Sequence, residues 1–228
     1  MRGETISFSN GADQVRAYLS PSATGTGPGI VVLQEWWGLV PHIMDVCDRF
    51  AEAGFTALAP DLYGGNSTTD PDEAATMMQA LGIAETEAIL RKAILTLMAH
   101  PATVPNHQVG VVGFCMGGQL AMVAAGMNPV VRATVNFYGI HPKVQPSYRD
   151  LNGPVLGLFA EHDAYASPEA VDALRRELMI LDKKFEFVTY PGTHHAFFND
   201  IRPEVFNPEA AADAWRRTVE FFRANLSA

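Results

Sequence analysis

Residues 109–118 read VGVVGFCMGG. The unbroken apolar run 109–114 is the pattern of a strand buried on both faces. It passes straight into Gly113-Phe114-Cys115-Met116-Gly117, and the small apolar residues after it fit a helix over 117–126. A reactive side chain raised on so tight a strand–turn–helix corner needs glycine two places before and two places after it. A Cβ at either place would crowd the neighbouring strand or helix. The corner holds Cys115 in strained backbone at a helix N-terminus, where the dipole favours a thiolate. The competing reading is a structural cysteine in a glycine-rich turn, but strand before and helix after point to a nucleophile.

Outward from this corner, short apolar runs at 30–33, 55–58, 134–138, 155–159 and 185–190 alternate with amphipathic stretches at 42–53, 86–99, 169–181 and 208–222. Strand then helix, repeated, predicts a doubly wound, mostly parallel sheet with helices on both faces. Ser167-Pro168 supplies an N-cap and a first-turn proline for the helix over 169–181. Segments 5–8 and 15–19 flank Asn10-Gly11, a hairpin signal, and predict an antiparallel N-terminal edge. Residues 66–72, NSTTDPD, read as a surface loop before a helix. No linker or repeat divides the chain, so residues 1–228 are expected to form one domain.

A cysteine nucleophile needs a base and a group that orients the base, in chain order nucleophile, acid, histidine. After the run 155–159 comes Ala160-Glu161-His162-Asp163; after the run 185–190 comes Pro191-Gly192-Thr193-His194-His195-Ala196-Phe197. In a parallel sheet these ends share one edge, where ligands bind. Asp163, with Glu161 as rival, is the expected acid. His195, with His194 as rival, is the expected base. The loop Gln34-Glu35-Trp36-Trp37-Gly38 follows the run 30–33, the place from which this architecture draws a second oxyanion donor beside the N–H of Met116. A carboxylate there, Glu35, suggests a task beyond solvation.

These motifs, together with Ala59-Pro60-Asp61-Leu62-Tyr63 and Tyr190-Pro191-Gly192 before His195-Ala196-Phe197, make the sequence resemble the dienelactone hydrolases (carboxymethylenebutenolidases) of the α/β-hydrolase superfamily. The motifs run in order across nearly the whole chain. The resemblance implies an α/β-hydrolase fold and a triad of Cys115, His195 and Asp163. It chooses His195 over His194, because the family's histidine directly precedes a small residue and phenylalanine. It implies oxyanion N–H groups from Trp36 and Met116, and assigns to Glu35 the handling of the cysteine's proton in the resting enzyme.

One departure bears on substrate. Family members that act on dienelactone hold its carboxylate with two arginines. The position four residues past His195 is Asn199, and no arginine lies between Arg49 and Arg91. Each lost charge-assisted hydrogen bond is worth about 1.5–3 kcal/mol. Trp37, Tyr63, Phe197 and Asn199 are candidate substrate contacts, with Trp36 and Phe198 as further aromatic neighbours, for a less polar ester or lactone. Arg202 is the remaining nearby cation.

Composition narrows the rest. Sixteen Lys and Arg against 25 Asp and Glu leave a net charge of −9, a poor match for nucleic acid. Two cysteines make no disulfide framework, and Cys47, at an apolar helix position, is expected to be inert. No metal-ligand spacing, signal peptide or membrane-length apolar run is seen. The expectation is a cytoplasmic, cofactor-free enzyme, monomer or weak dimer, cleaving a small ester or lactone through a thioester acyl-enzyme. Alternatives are an arylesterase or organophosphate-type hydrolase using the same thiol, and a non-catalytic binding protein on a hydrolase fold.

Overall fold

The computed structural model describes residues 2–141 and 143–226. They gather into two compact units, one extending to Gly110 and the other covering Val111–Leu226. In the first, strands β1 (Glu4–Asn10) and β2 (Asp13–Ser20) pair as the expected antiparallel hairpin, with Asn10 opposite Asp13 and Gly11 at φ +66° in the turn. Strand β2 runs antiparallel to β4 (Thr56–Pro60), which is parallel to β3 (Gly29–Leu33). Every residue of β3 and β4 is buried, as their unalternating apolar sequences require.

Helix α1 (Pro41–Glu52) packs on β2, β3 and β4 through Ile43, Val46, Cys47 and Phe50, a helical i, i+3, i+4, i+7 stripe. Burying Phe50 completely is worth about 2–3 kcal/mol. The region read as one loop before one helix contains two helices, α2 (Pro71–Ala80) and α3 (Ile83–Ala99). Helix α2 escapes a hydrophobic-pattern reading because it buries only Ala74. Its signal lies in Asp70-Pro71: the Asp70 carboxylate accepts the N–H groups of Asp72 and Glu73 at 2.9 and 3.0 Å, and Pro71 opens the helix.

Asp48 on α1 fastens the chain's beginning. Its carboxylate accepts hydrogen bonds from the N–H groups of Arg2 and Gly3 and the hydroxyls of Tyr18 and Ser20, all between 2.7 and 3.0 Å. Burial would raise its pKa, but these four donors outweigh burial and lower it. A lowered carboxylate pKa stabilises the fold above the unfolded-state value and loses that contribution as pH falls. Asp48→Ala is expected to cost about 2–4 kcal/mol, read as a lower denaturant midpoint at pH 7, with the gap to wild type narrowing at pH 3. A wild-type midpoint at pH 7 would refute this role.

In the second unit the strand order is β5 (Val109–Phe114), β6 (Val131–Phe137), β7 (Val155–His162), β8 (Phe185–His194), with β6, β7 and β8 parallel. Helix α4 (Met116–Met127) is buried from 116 through 125 and packs on β6. Helix α5 (Pro168–Ile180) starts as expected, with Ser167 Oγ accepting Ala170 N–H, and α6 (Pro208–Asn225) covers β6 and β7. Strands β7 and β8 extend beyond their apolar runs. After a register shift they pair His162 with His194, so the polar residues that matter stand at the strand ends.

Candidate active site

Cys115 occupies the corner between β5 and α4 with φ +53° and ψ −120°, a conformation costly for any residue with a Cβ. The sharpness of the turn is visible at Gly113, where a Cβ would fall on the Gly117 carbonyl. The corner is held from below: the Cys115 N–H donates to Phe137 O at 3.0 Å, and the Gly118 N–H returns to Cys115 O at 2.9 Å. The thiol is half-buried, while Cys47 is fully buried. Burial, then the charges of Asp48 and Asp45, push the Cys47 thiol well up, which keeps it protonated and unreactive.

His195 follows directly on β8. Its Nδ1 lies 2.8 Å from Asp163 Oδ2. The other carboxylate oxygen, Oδ1, accepts the N–H groups of Tyr165 and Ala166 at 2.8 and 2.9 Å. Asp163 is thus buried with both oxygens engaged, a setting that fixes the carboxylate and through it the imidazole. The rivals point elsewhere. Glu161 is exposed and accepts the Gly192 N–H at 2.7 Å, and His194 is exposed with its ring 5.4 Å from that of His162.

The second ring nitrogen of His195, Nε2, is buried and outside good hydrogen-bond geometry. Cys115 nonetheless acts on the ring as a charge and as a hydrogen-bonding group. The contact is loose, as catalytic hydrogen bonds commonly are before substrate binds. Burial alone would lower the imidazole's pKa. Interaction with Cys115, together with the hydrogen bond and charge of Asp163, reverses this and raises it to about 10. Two aromatic rings that sequence reasoning did not single out touch the imidazole: Tyr138 at 5.0 Å and the exposed Tyr165 at 4.9 Å between centroids. Each follows the end of a β-strand, the one signal that marked them.

Other expected contacts are distributed as follows. Phe197 is fully buried against Tyr138 and Tyr190, and Phe198 packs on Phe114 and Phe137. Asn199 is fully buried, its Oδ1 accepting Ile201 N–H at 3.2 Å, so the turn uses this side chain. Arg202 forks onto Glu204 with two nitrogens at 2.8 Å. In the first unit, Glu35 is buried, Trp36 and Trp37 meet edge to face at 5.1 Å, and Met116 is buried at the start of α4 in the second. Tyr63 lines a cleft of about 350 Å³ with Leu62, Met77, Leu81, Glu85 and Ile89. Among the described residues no cluster of His, Cys, Asp or Glu is arranged to hold a metal ion, and no helix is long and apolar enough to cross a membrane.

A cysteine on a strained strand–helix corner, with a histidine and a buried aspartate from the two strand ends that follow, meets a family pattern matched over residues 15–226. The chain belongs to the dienelactone hydrolase family. Membership makes it an enzyme of the ester- and lactone-hydrolysing class. It is 34% identical to Protein usf of Aquifex pyrophilus over 99% of this chain and 100% of that one. The solved structure titled "Putative Dienelactone Hydrolase" from Klebsiella pneumoniae is similar with a TM-score of 0.87 at 29% identity, covering 96% of this chain and 97% of that one. A dienelactone hydrolase-like promiscuous phosphotriesterase from metagenomic libraries shares the fold, with a TM-score of 0.89 at 22% identity over 99% and 98% of the two chains. Among the described residues the eight strands, mostly parallel with an antiparallel N-terminal pair, are those of the α/β-hydrolase fold.

Proposed function

We propose that this dienelactone hydrolase family member cleaves a small carboxylic ester or lactone through a thioester formed on Cys115. The observation that carries the reading is the Asp163–His195 pair at 2.8 Å with Cys115, on its strained corner, acting on the same imidazole. The thiolate attacks the acyl carbon, and the carbonyl electrons move onto oxygen. Backbone N–H groups of Met116 and, from the family motif, Trp36 stabilise that oxyanion. Its collapse expels the alkoxide, which takes the proton of the His195 imidazolium. Water then attacks the thioester while neutral His195 removes a proton from it, and the returning thiolate restores the ion pair. Glu35 is proposed to handle the cysteine's proton, relaying it from the thiol to His195 as the resting ion pair forms. Rapid mixing with p-nitrophenyl acetate should give a burst of one p-nitrophenol per chain, with the acetyl group on the Cys115 peptide in a mass spectrum. Acetylation at another residue would overturn the assignment. An aryl phosphotriester in the same assay tests the alternative that the thiol attacks phosphorus.

The proposal extends to charge. Arg202 is engaged with Glu204, Asn199 is turned into its own loop, and the chain carries −9. Long-range repulsion is largely screened at physiological salt, so the absence of a local guanidinium clamp decides the preference. A neutral aryl ester or lactone is expected to show kcat/KM about tenfold or more above a carboxylate-bearing analogue of similar size, the equivalent of one lost charge-assisted bond. Paired kinetics check this, and a clear preference for the anionic partner would refute it.

A further inference from the structure

Tyr138 lies just past β6 with φ +43°, backbone that glycine adopts freely and a bulky aromatic residue adopts under strain. The adjoining glycine is committed elsewhere, since a Cβ at Gly139 would come within 2.5 Å of Cys115 O and Gln119 N. The turn is clamped on both sides of Tyr138. Buried Asn136 donates Nδ2–H to Gly139 O at 2.8 Å and accepts the Gly139 N–H at 2.8 Å, while the Tyr138 N–H donates to Leu158 O at 2.9 Å. One residue earlier, Phe137 O accepts the N–H of Cys115. The Tyr138 ring is buried, 5.5 Å from Phe197 and 5.0 Å from His195, inclined at 61° to the imidazole.

We propose that Tyr138 is a positioning residue for His195: its ring, held in a left-handed turn that is also bonded to the Cys115 backbone, walls the imidazole so that Nδ1 stays on Asp163 while Nε2 stays toward Cys115. Backbone strain at a residue whose ring touches the base is what such a role would leave behind. Cys115 and Asp163 act electrostatically on His195, and two of its ring neighbours, Tyr138 and Tyr165, are aromatic. The contact is ring to ring, so an aliphatic side chain of similar volume fills the space without supplying the wall.

This inference rests on the triad reading above, and the experiment separates the two. Wild type, Tyr138→Phe, Tyr138→Leu, Tyr138→Met and Cys115→Ala are compared by kcat per chain and by NMR titration of His195. Tyr138→Leu is expected to lose roughly 10- to 100-fold in kcat, with KM little changed, and its His195 midpoint to fall from about 10 toward 6.5. Tyr138→Phe should retain both properties. Should Tyr138→Leu fail to fold, Tyr138→Met gives the same comparison. An aliphatic variant with wild-type kcat and His195 midpoint, or a Tyr138→Phe as impaired as Tyr138→Leu, would overturn the proposal. Turnover surviving in Cys115→Ala would overturn the triad reading instead, and the His195 midpoints would still decide the role of Tyr138.

Discussion

Cys115→Ala is expected to lower kcat/KM for ester hydrolysis by at least roughly 10⁴-fold, because the proposed covalent route has no substitute nucleophile on the corner. The fold should survive. Cys115 is half-buried and packs little mass, and alanine inherits the φ of +53° without adding atoms. Thermal midpoints within a few degrees of wild type are therefore expected alongside the lost turnover. Cys47→Ala is the counterpart. That thiol is fully buried on α1 and pushed well up by burial, so removing it should cost stability of about 1 kcal/mol and leave kcat unchanged. Loss of turnover in Cys47→Ala with retention in Cys115→Ala would reverse the assignment.

Replacing His195 by alanine should lower kcat roughly 10²- to 10⁴-fold, since in the proposed mechanism one imidazole serves as acid and then as base in each turnover. His194→Ala should stay within about threefold of wild type, because His194 is exposed and faces His162. The raised pKa of His195 adds a pH signature. In the free enzyme the imidazolium persists to about pH 10, so kcat/KM for an alkyl ester, whose leaving group needs that proton, should fall as pH rises through 10. An aryl ester with a good leaving group should lose less. In the proposed route, acylation ties up the Cys115 sulfur, the largest influence raising the imidazole, and so would free His195 to act as base during deacylation at neutral pH. The same proton is linked to stability. A pKa raised from 6.5 to about 10 on folding contributes fully below pH 6.5, and the contribution is lost as pH rises through 10. Wild type should therefore lose more stability than His195→Ala between pH 7 and 10. Equal losses, or a larger effect at His194 than at His195, would refute the assignment.

Much of this arrangement is legible along the chain because it depends on local patterns. Continuous apolar runs marked β3, β5 and β7, the Asn10-Gly11 turn marked the hairpin, and Ser167-Pro168 marked the start of α5. Gly113 and Gly117 around Cys115 marked the corner, since steric exclusion acts between atoms only a few residues apart. Helix α2 was not legible by hydrophobic pattern because it buries one residue, and the extensions of β7 and β8 were not, because polar residues at strand ends satisfy their backbone groups without apolar burial.

By itself the sequence determined the strand and helix alternation, the tight corner that bears Cys115 and the two short segments that carry Asp163 and His195. From the residues alone, Asp163 was favoured with Glu161 as rival and His195 with His194 as rival, and the family resemblance settled the histidine. Which carboxylate meets which imidazole was decided by tertiary structure. A strand side chain's direction depends on where the strand ends and on its register with its neighbour. The shift between Ala160 and His162 pairs His162 with His194 at the surface and leaves His195 to Asp163. The same holds for Tyr138. Its ring reaches His195 because the local Asn136–Gly139 clamp is joined by the Leu158 carbonyl, twenty residues away in sequence, and together they hold its backbone left-handed.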